Sequence, residues 1–333
     1  MEAELTTKNV LNILTCGYSN TDRQELFDLE KLNKIPLAKR KKSGKIERRF
    51  WSMGDLPKIA KYFGYLKKPE KQIIISTYAP KGGVLKTTLS FNLARGLALQ
   101  GIRVLLIGLD SQKSLTSLCE VDQRITDISE YKVKKEYSLY DYFEKQTPIQ
   151  DIIKKTDLEF LDYIPESDDL DRLSLVFGTV RKAEFKIAES LVPELSLYDV
   201  IIFDNPPSYT PLSISSIIAS DVLITPLGCE IEAFKAVDNS INKVMEGVKK
   251  DVKPTFKNIY VSTKLDNTTL SKQIFYEYQN RFKGLIVSAA IRNSISGQEA
   301  SYANKSIMEY KTDSPLATDY HSVIKELWLK VLA

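Results

Sequence analysis

Tyr78–Thr88 reads YAPKGGVLKTT, and this stretch decides the fold. It follows the apolar run Gln72–Tyr78 (QIIISTY) and opens into Leu89–Leu99 (LSFNLARGLAL), whose apolar residues recur at helical spacing. Strand, glycine-containing loop and helix, in that order, are the context that a phosphate-binding loop requires. The first N–H groups of such a helix have no intrahelical partner, and the helix dipole adds partial positive charge there. Nucleotide phosphates satisfy both. Lys81, Gly82, Gly83, Val84, Leu85, Lys86, Thr87 and Thr88 are therefore the candidate nucleotide-binding residues. Within them, Lys86 supplies a full charge to the β/γ-phosphates and the Thr87 hydroxyl is a candidate Mg²⁺ ligand.

The bulk sequence sets the frame around this loop. At 333 residues, 43% hydrophobic and 27% charged, the chain has room for about two globular domains. No apolar run approaches the ~20 residues of a membrane span, and the opening MEAELTTKNV does not resemble a signal peptide. Cys16, Cys119 and Cys229 share no metal or redox spacing, and a single histidine, His321, excludes His-rich zinc chemistry. A cytoplasmic protein is expected. Charge is unevenly placed: residues 1–70 hold fifteen Lys and Arg against nine Asp and Glu, although the whole chain carries only +4. A basic excess confined to one end points to a separate module with an anionic partner.

In that first segment, Thr6–Leu14 has helical spacing, and Ser19 or Asn20 caps a second helix running to about Leu32. Lys39–Arg49 (KRKKSGKIERR) reads as a basic hairpin turning at Ser43-Gly44. Phe50-Trp51 returns to a core, and Ser52 caps a helix over Asp55–Phe63 that ends at Gly64. Lys67-Lys68-Pro69-Glu70-Lys71 has no apolar period, which sets a boundary between residues 1–68 and 69–333. After it, apolar runs and helical patterns alternate. That is the signature of a mostly parallel sheet with helices on both faces.

Two further apolar runs end in carboxylates. Arg103–Leu109 (RVLLIGL) is followed by Asp110 and Gln112, and Tyr198–Phe203 (YDVIIF) is followed by Asp204-Asn205-Pro206-Pro207. A carboxylate at a strand end beside a phosphate loop can orient an attacking water or hold Mg²⁺.

Together these stretches resemble the deviant P-loop of the ParA-type partition ATPases, within the MinD-like superfamily. KGG-V-x-KTT matches their first motif, VLLIGLDSQ their V-L-L-I-D-x-D-x-Q, and IIFDNPP their second acidic motif. The resemblance implies an α/β P-loop NTPase that binds ATP and Mg²⁺. Lys81, Lys86 and Asp110 would be catalytic, and Thr87 and Asp204 would hold the metal. It also implies an ATP-dependent homodimer in which Lys81 reaches the nucleotide of the other subunit. Such a protein associates with the nucleoid by binding nonspecific duplex DNA, and works with a ParB-like centromere-binding partner.

The order of elements in residues 1–68 resembles the winged helix-turn-helix of MerR-type regulators. That implies operator binding, and resemblance to the larger partition ATPases, which carry such an amino-terminal domain, implies repression of the chain's own operon. Arg23 and Gln24 would sit near the exposed start of the groove-entering helix, with Lys39, Arg40, Lys41, Arg48 and Arg49 along phosphates. Ile291-Arg292 and the stretch from Glu299 to Tyr310 resemble the family's C-terminal signature, making Lys264, Arg281, Lys283, Arg292 and Lys305 candidates for sequence-independent DNA contact. The last amphipathic stretch, Ser322–Leu332, has a broad apolar face with few flanking cations, so packing on the sheet is expected and membrane binding is not.

Two residues depart from the pattern. Leu85 and Gly108 stand where the family has a glycine and an aspartate, and both bear on the rate of hydrolysis. A nucleotide-gated DNA-binding regulator with little turnover is the alternative function.

Overall fold

A computed structural model of the chain describes residues 4–15, 17–43, 46–120, 137–237 and 257–333. The amino-terminal segment runs β1 (Leu5–Thr6), α1 (Thr7–Thr15), α2 (Asn20–Lys31), β2 (Lys39–Ser43), β3 (Ile46–Trp51) and α3 (Leu56–Phe63). Ser19 caps α2, its hydroxyl accepting the Asp22 N–H. Ser52 forms a capping box with Asp55 ahead of α3. The three strands pair antiparallel in the order β1-β3-β2. The turn expected at Ser43-Gly44 falls at the edge of the described residues, with Gly44 outside them.

The remainder continues as β4 (Ile73–Thr77), α4 (Lys86–Leu99), β5 (Val104–Gly108), α5 (Ser114–Cys119), α6 (Leu139–Lys145), α7 (Ile149–Ile152), β6 (Lys154–Lys155), β7 (Leu161–Ile164), α8 (Leu170–Thr179), β8 (Val200–Asp204), α9 (Pro211–Ala219) and β9 (Val222–Gly228). Then come β10 (Lys257–Leu265), α10 (Thr269–Arg281), β11 (Ile286–Arg292), α11 (Ile295–Tyr302), α12 (Ile307–Tyr310) and α13 (Pro315–Leu332). Eight strands form one sheet in the order β11-β10-β9-β4-β8-β5-β7-β6. Every pair is parallel except β6–β7. The P-loop α/β architecture expected from the sequence is the one observed.

The order places the chemistry. β8 lies between β4 and β5, so Asp204 is in register with Thr77 on one side and Gly108 on the other. The loops after β4 and β5 therefore leave the sheet on either side of Asp204, at the carboxyl end where ligands bind in such folds.

Helix α4 lies against the sheet with nearly every residue buried, which explains why its apolar pattern wraps all round. Its one interior cation, Arg95, is 1% exposed and pairs with Glu309 at 2.6 Å and Asp157 at 2.7 Å. A buried guanidinium with two carboxylates on its fork is compensated; removal of either carboxylate leaves a costly partial charge. Helix α13 begins at Pro315, seven residues before the expected stretch, because Ser314 caps it. As expected, its apolar face packs inward, with Trp328 buried and donating to the Lys67 carbonyl.

The amino-terminal segment and the sheet share one hydrophobic core. Val10, Leu11, Trp51, Leu56 and Ile59 belong to the same buried cluster as Leu93, Leu97, Ile324 and Trp328. Polar contacts cross the same junction: Lys8 with Asp313 at 2.9 Å, Asn9 with Thr312 at 3.1 Å, and Tyr65 with His321 at 2.9 Å. The stretch at Lys67–Lys71 is thus a connection between elements that pack together.

Candidate nucleotide site

The loop between β4 and α4 has the features that suit an anion. Lys86 through Thr88 start α4, and their backbone N–H groups find no acceptor among the described residues. Gly83 takes φ +74 and has open space where a side chain would project. Leu85 precedes the helix at φ 64, ψ 31, the left-handed region that a leucine occupies at a cost of roughly 1–2 kcal/mol. The glycine-to-leucine departure seen in the sequence therefore falls at a position whose backbone favours glycine.

Lys86 is 8% exposed. Burial lowers its pKa, and the charges of Asp204 and Asp110 oppose that drop. Lys81 differs in kind: it is exposed and makes no ion pair or hydrogen bond among the described residues.

Asp204 sits at the end of β8 with no exposure. Its Oδ2 accepts the Thr87 hydroxyl at 2.6 Å and its Oδ1 accepts the Ser90 hydroxyl at 3.0 Å. Burial pushes its pKa up to about 6, against the pull of those two hydroxyls and Lys86. A carboxylate and a hydroxyl in contact at the foot of a phosphate loop are an oxygen set suited to Mg²⁺, which takes few protein ligands and completes its shell with water and phosphate.

Asp110 follows β5 on a tight turn, its Oδ1 accepting the Gln112 N–H at 3.1 Å. It is half-buried and electrostatically felt by Lys86, Asp204 and Glu166. Lys81, Lys86, Thr87, Asp110 and Asp204 therefore collect at one end of the sheet.

Glu166, which sequence reasoning passed over, joins them. It is 1% exposed, and burial pushes its pKa up to about 8, reinforced by the charges of Asp204 and Asp110. The available signal was its position: an acid two residues beyond β7, the strand beside β5.

The basic residues divide by strand alternation. Across the β2–β3 pair, Arg40 faces Arg49 while Lys41 faces Arg48. Arg49 shares the side of buried Trp51; it binds the nearly buried Glu30 at 2.8 Å and lies 4.0 Å from the Phe27 ring centroid. Arg40 leans towards the same carboxylate and Glu47. The expectation that Arg49 lines a surface for phosphates thus meets a half-buried residue already engaged by Glu30 and Phe27, because its strand position turns it towards α2. Arg23, Gln24, Lys39, Lys41 and Arg48 are exposed; Lys41 pairs with Glu4 and Gln24 with Asp28. Arg23, Lys39 and Arg48 have no ion pair among the described residues.

At the other end of the chain, Arg292 makes a two-pronged pair with Asp319 at 2.5 and 2.7 Å, and Lys264 pairs with Glu230 at 2.9 Å. Both are tied to carboxylates; Lys283 is exposed.

Residues 72–258 match a family model described as an AAA domain. The chain is 31% identical over 255 residues to the sporulation initiation inhibitor protein Soj of Bacillus subtilis, covering 76% of this chain and 97% of that one. It is 28% identical over 258 residues to the chromosome partitioning protein ParA of Myxococcus xanthus, covering 76% and 87% respectively. Among solved structures, the ATP complex of a McdA variant from Cyanothece superposes with a TM-score of 0.66 at 19% identity, over 77% of this chain and 96% of that one.

Proposed function

The chain belongs to the ParA/MinD-like P-loop ATPases, and on that premise we propose that it is a DNA-partition ATPase: it binds and hydrolyses ATP with Mg²⁺, dimerises on ATP, and segregates a DNA cargo with a ParB-like partner. The contact that carries this reading is the Thr87 hydroxyl on the Asp204 carboxylate at 2.6 Å, beside Lys86 and beneath the free N–H groups of α4.

Thr87 and Asp204 would hold Mg²⁺, which when bound neutralises charge on the phosphates. Lys86 and the helix N-terminus hold the nucleotide in place. Asp110, at the end of β5, orients the attacking water, and positioning of that kind is most of what phosphoryl transfer asks of a protein. Lys81, exposed and without an ion pair among the described residues, has the freedom to reach the nucleotide of a second subunit.

The amino-terminal segment, with its three helices, three-stranded antiparallel sheet and basic hairpin, serves in this reading as a winged helix-turn-helix. Arg23 and Gln24 lead α2 into the major groove. Lys39, Lys41 and Arg48 contact phosphates on an operator or on nonspecific duplex DNA. Glu30 ties Arg49 and the Ala38 N–H to α2, which fixes the hairpin beside that helix. Repression of its own operon follows from operator binding, and nucleoid association from DNA binding.

The test is Mg²⁺-dependent ATP binding, measured with a fluorescent ATP analogue for the wild type and Lys86→Ala. Loss of about tenfold or more in affinity for the variant supports the assignment, and equal affinity contradicts it. A second reading, a nucleotide-gated regulator that scarcely hydrolyses ATP, is favoured by the left-handed Leu85 and by Gly108 in place of an acid. Turnover separates the two.

A further inference from the structure

Gly108 ends β5 in register with Asp204, where the resembling family motif carries a carboxylate. A Cβ placed on Gly108 would lie 2.2 Å from Glu166 Cγ, 2.7 Å from its Cδ and 3.0 Å from its Oε1. The space a side chain at 108 would enter is thus filled by Glu166, arriving from the neighbouring strand β7. Its Oε2 accepts the N–H of Leu115 at 2.9 Å, the N–H of Thr116 at 3.0 Å and the Thr116 hydroxyl at 3.3 Å. Thr116 Oγ1 in turn accepts the Glu166 N–H at 2.8 Å. These bonds fasten the start of α5, and with it the far end of the loop that carries Asp110 and Gln112. The other oxygen, Oε1, is buried with no hydrogen-bond partner among the described residues.

We propose that Glu166 is a positioning residue for hydrolysis: its carboxyl group occupies, from β7, the place vacated at residue 108, and holds the loop that presents Asp110. The proposal rests on the ATPase reading above. It also explains why glycine stands at 108. With Glu166 in this position, a side chain at 108 would have to displace it.

The experiment is a reciprocal exchange: Glu166→Ala, Gly108→Asp, the double variant and Glu166→Gln, each measured for kcat, KM, ATP-analogue affinity and Tm. Glu166→Ala should lower kcat by about tenfold while ATP affinity stays within about twofold, because the lost role belongs to the transition state. Glu166→Gln, whose amide oxygen can accept the same three donors, should keep kcat within about threefold. Gly108→Asp alone should lower both Tm and kcat. The double variant should recover both relative to the single variants, a non-additivity expected of residues sharing one volume. An unchanged kcat in Glu166→Ala, or strictly additive effects in the double variant, overturns the proposal. If the wild type binds ATP without turning it over, the hydrolysis reading fails and takes the positioning role with it. The coupling in Tm then still decides whether residues 108 and 166 exchange one space.

Discussion

Replacement of Leu85 by alanine and by glycine tests the strain in the phosphate loop. Leu85 has φ 64 and ψ 31, and its side chain packs half-buried against the main core cluster. Leu85→Ala keeps the left-handed penalty and loses apolar contact, a destabilisation of about 1–2 kcal/mol for a partly buried leucine. Passing from alanine to glycine removes the left-handed cost of roughly 1–2 kcal/mol. Against this stands the greater freedom of glycine in the unfolded chain, worth about 0.5–1 kcal/mol. The glycine variant should therefore be more stable than the alanine variant by about 0.5–1 kcal/mol, despite its smaller side chain. The sign is diagnostic, since at a negative φ the same step destabilises by about 0.5–1 kcal/mol. Guanidinium denaturation without nucleotide, followed by fluorescence of the buried Trp51 and Trp328, gives both midpoints in one assay. A glycine variant less stable than the alanine variant would refute the strain argument.

Other predictions follow from the same geometry. Lys81→Ala should leave ATP binding within about twofold yet abolish the ATP-dependent doubling of mass in light scattering; an unchanged dimer removes the cross-subunit role. Neutralisation of Lys39, Lys41 and Arg48 together should weaken DNA binding and reduce its salt slope by about 2–3, whereas an unaltered slope means the hairpin does not touch phosphates. Burial lowers the pKa of His321 to about 4, while the unfolded chain protonates near 6.5. The folded state therefore holds His321 neutral, and the stability this contributes is present above pH 6.5 and lost as pH falls towards 4. The stability difference between wild type and His321→Gln should shrink by roughly 2–3 kcal/mol across that window, and a pH-independent difference contradicts the burial effect.

The candidate site is legible in the sequence where chemistry and local pattern coincide. A phosphate loop needs its lysine, hydroxyl and helix start in consecutive residues, so Lys86 and Thr87 were visible at once. Asp110 and Asp204 were legible because each closes an apolar run, and the sheet order then brings them to Lys86. Glu166 was not legible. Its relation to Gly108 exists only between neighbouring strands that are distant in sequence, and no spacing rule connects them. The division of the basic hairpin was hidden for a similar reason: composition counts Arg48 and Arg49 alike, but strand alternation sends one outward and binds the other to Glu30. The Lys67–Lys71 boundary marks a real change of pattern, yet the flanking elements share one core, because apolar helix faces reveal burial without naming their partner.

The most direct test of the central claim is ATP turnover by the purified chain with Mg²⁺, with and without nonspecific duplex DNA, beside Asp110→Ala. Slow hydrolysis that DNA accelerates and that falls by about a hundredfold in the variant is the predicted result. Turnover that persists undiminished in Asp110→Ala, or a wild type that binds ATP and never hydrolyses it, contradicts the assignment of this cluster as a hydrolytic site.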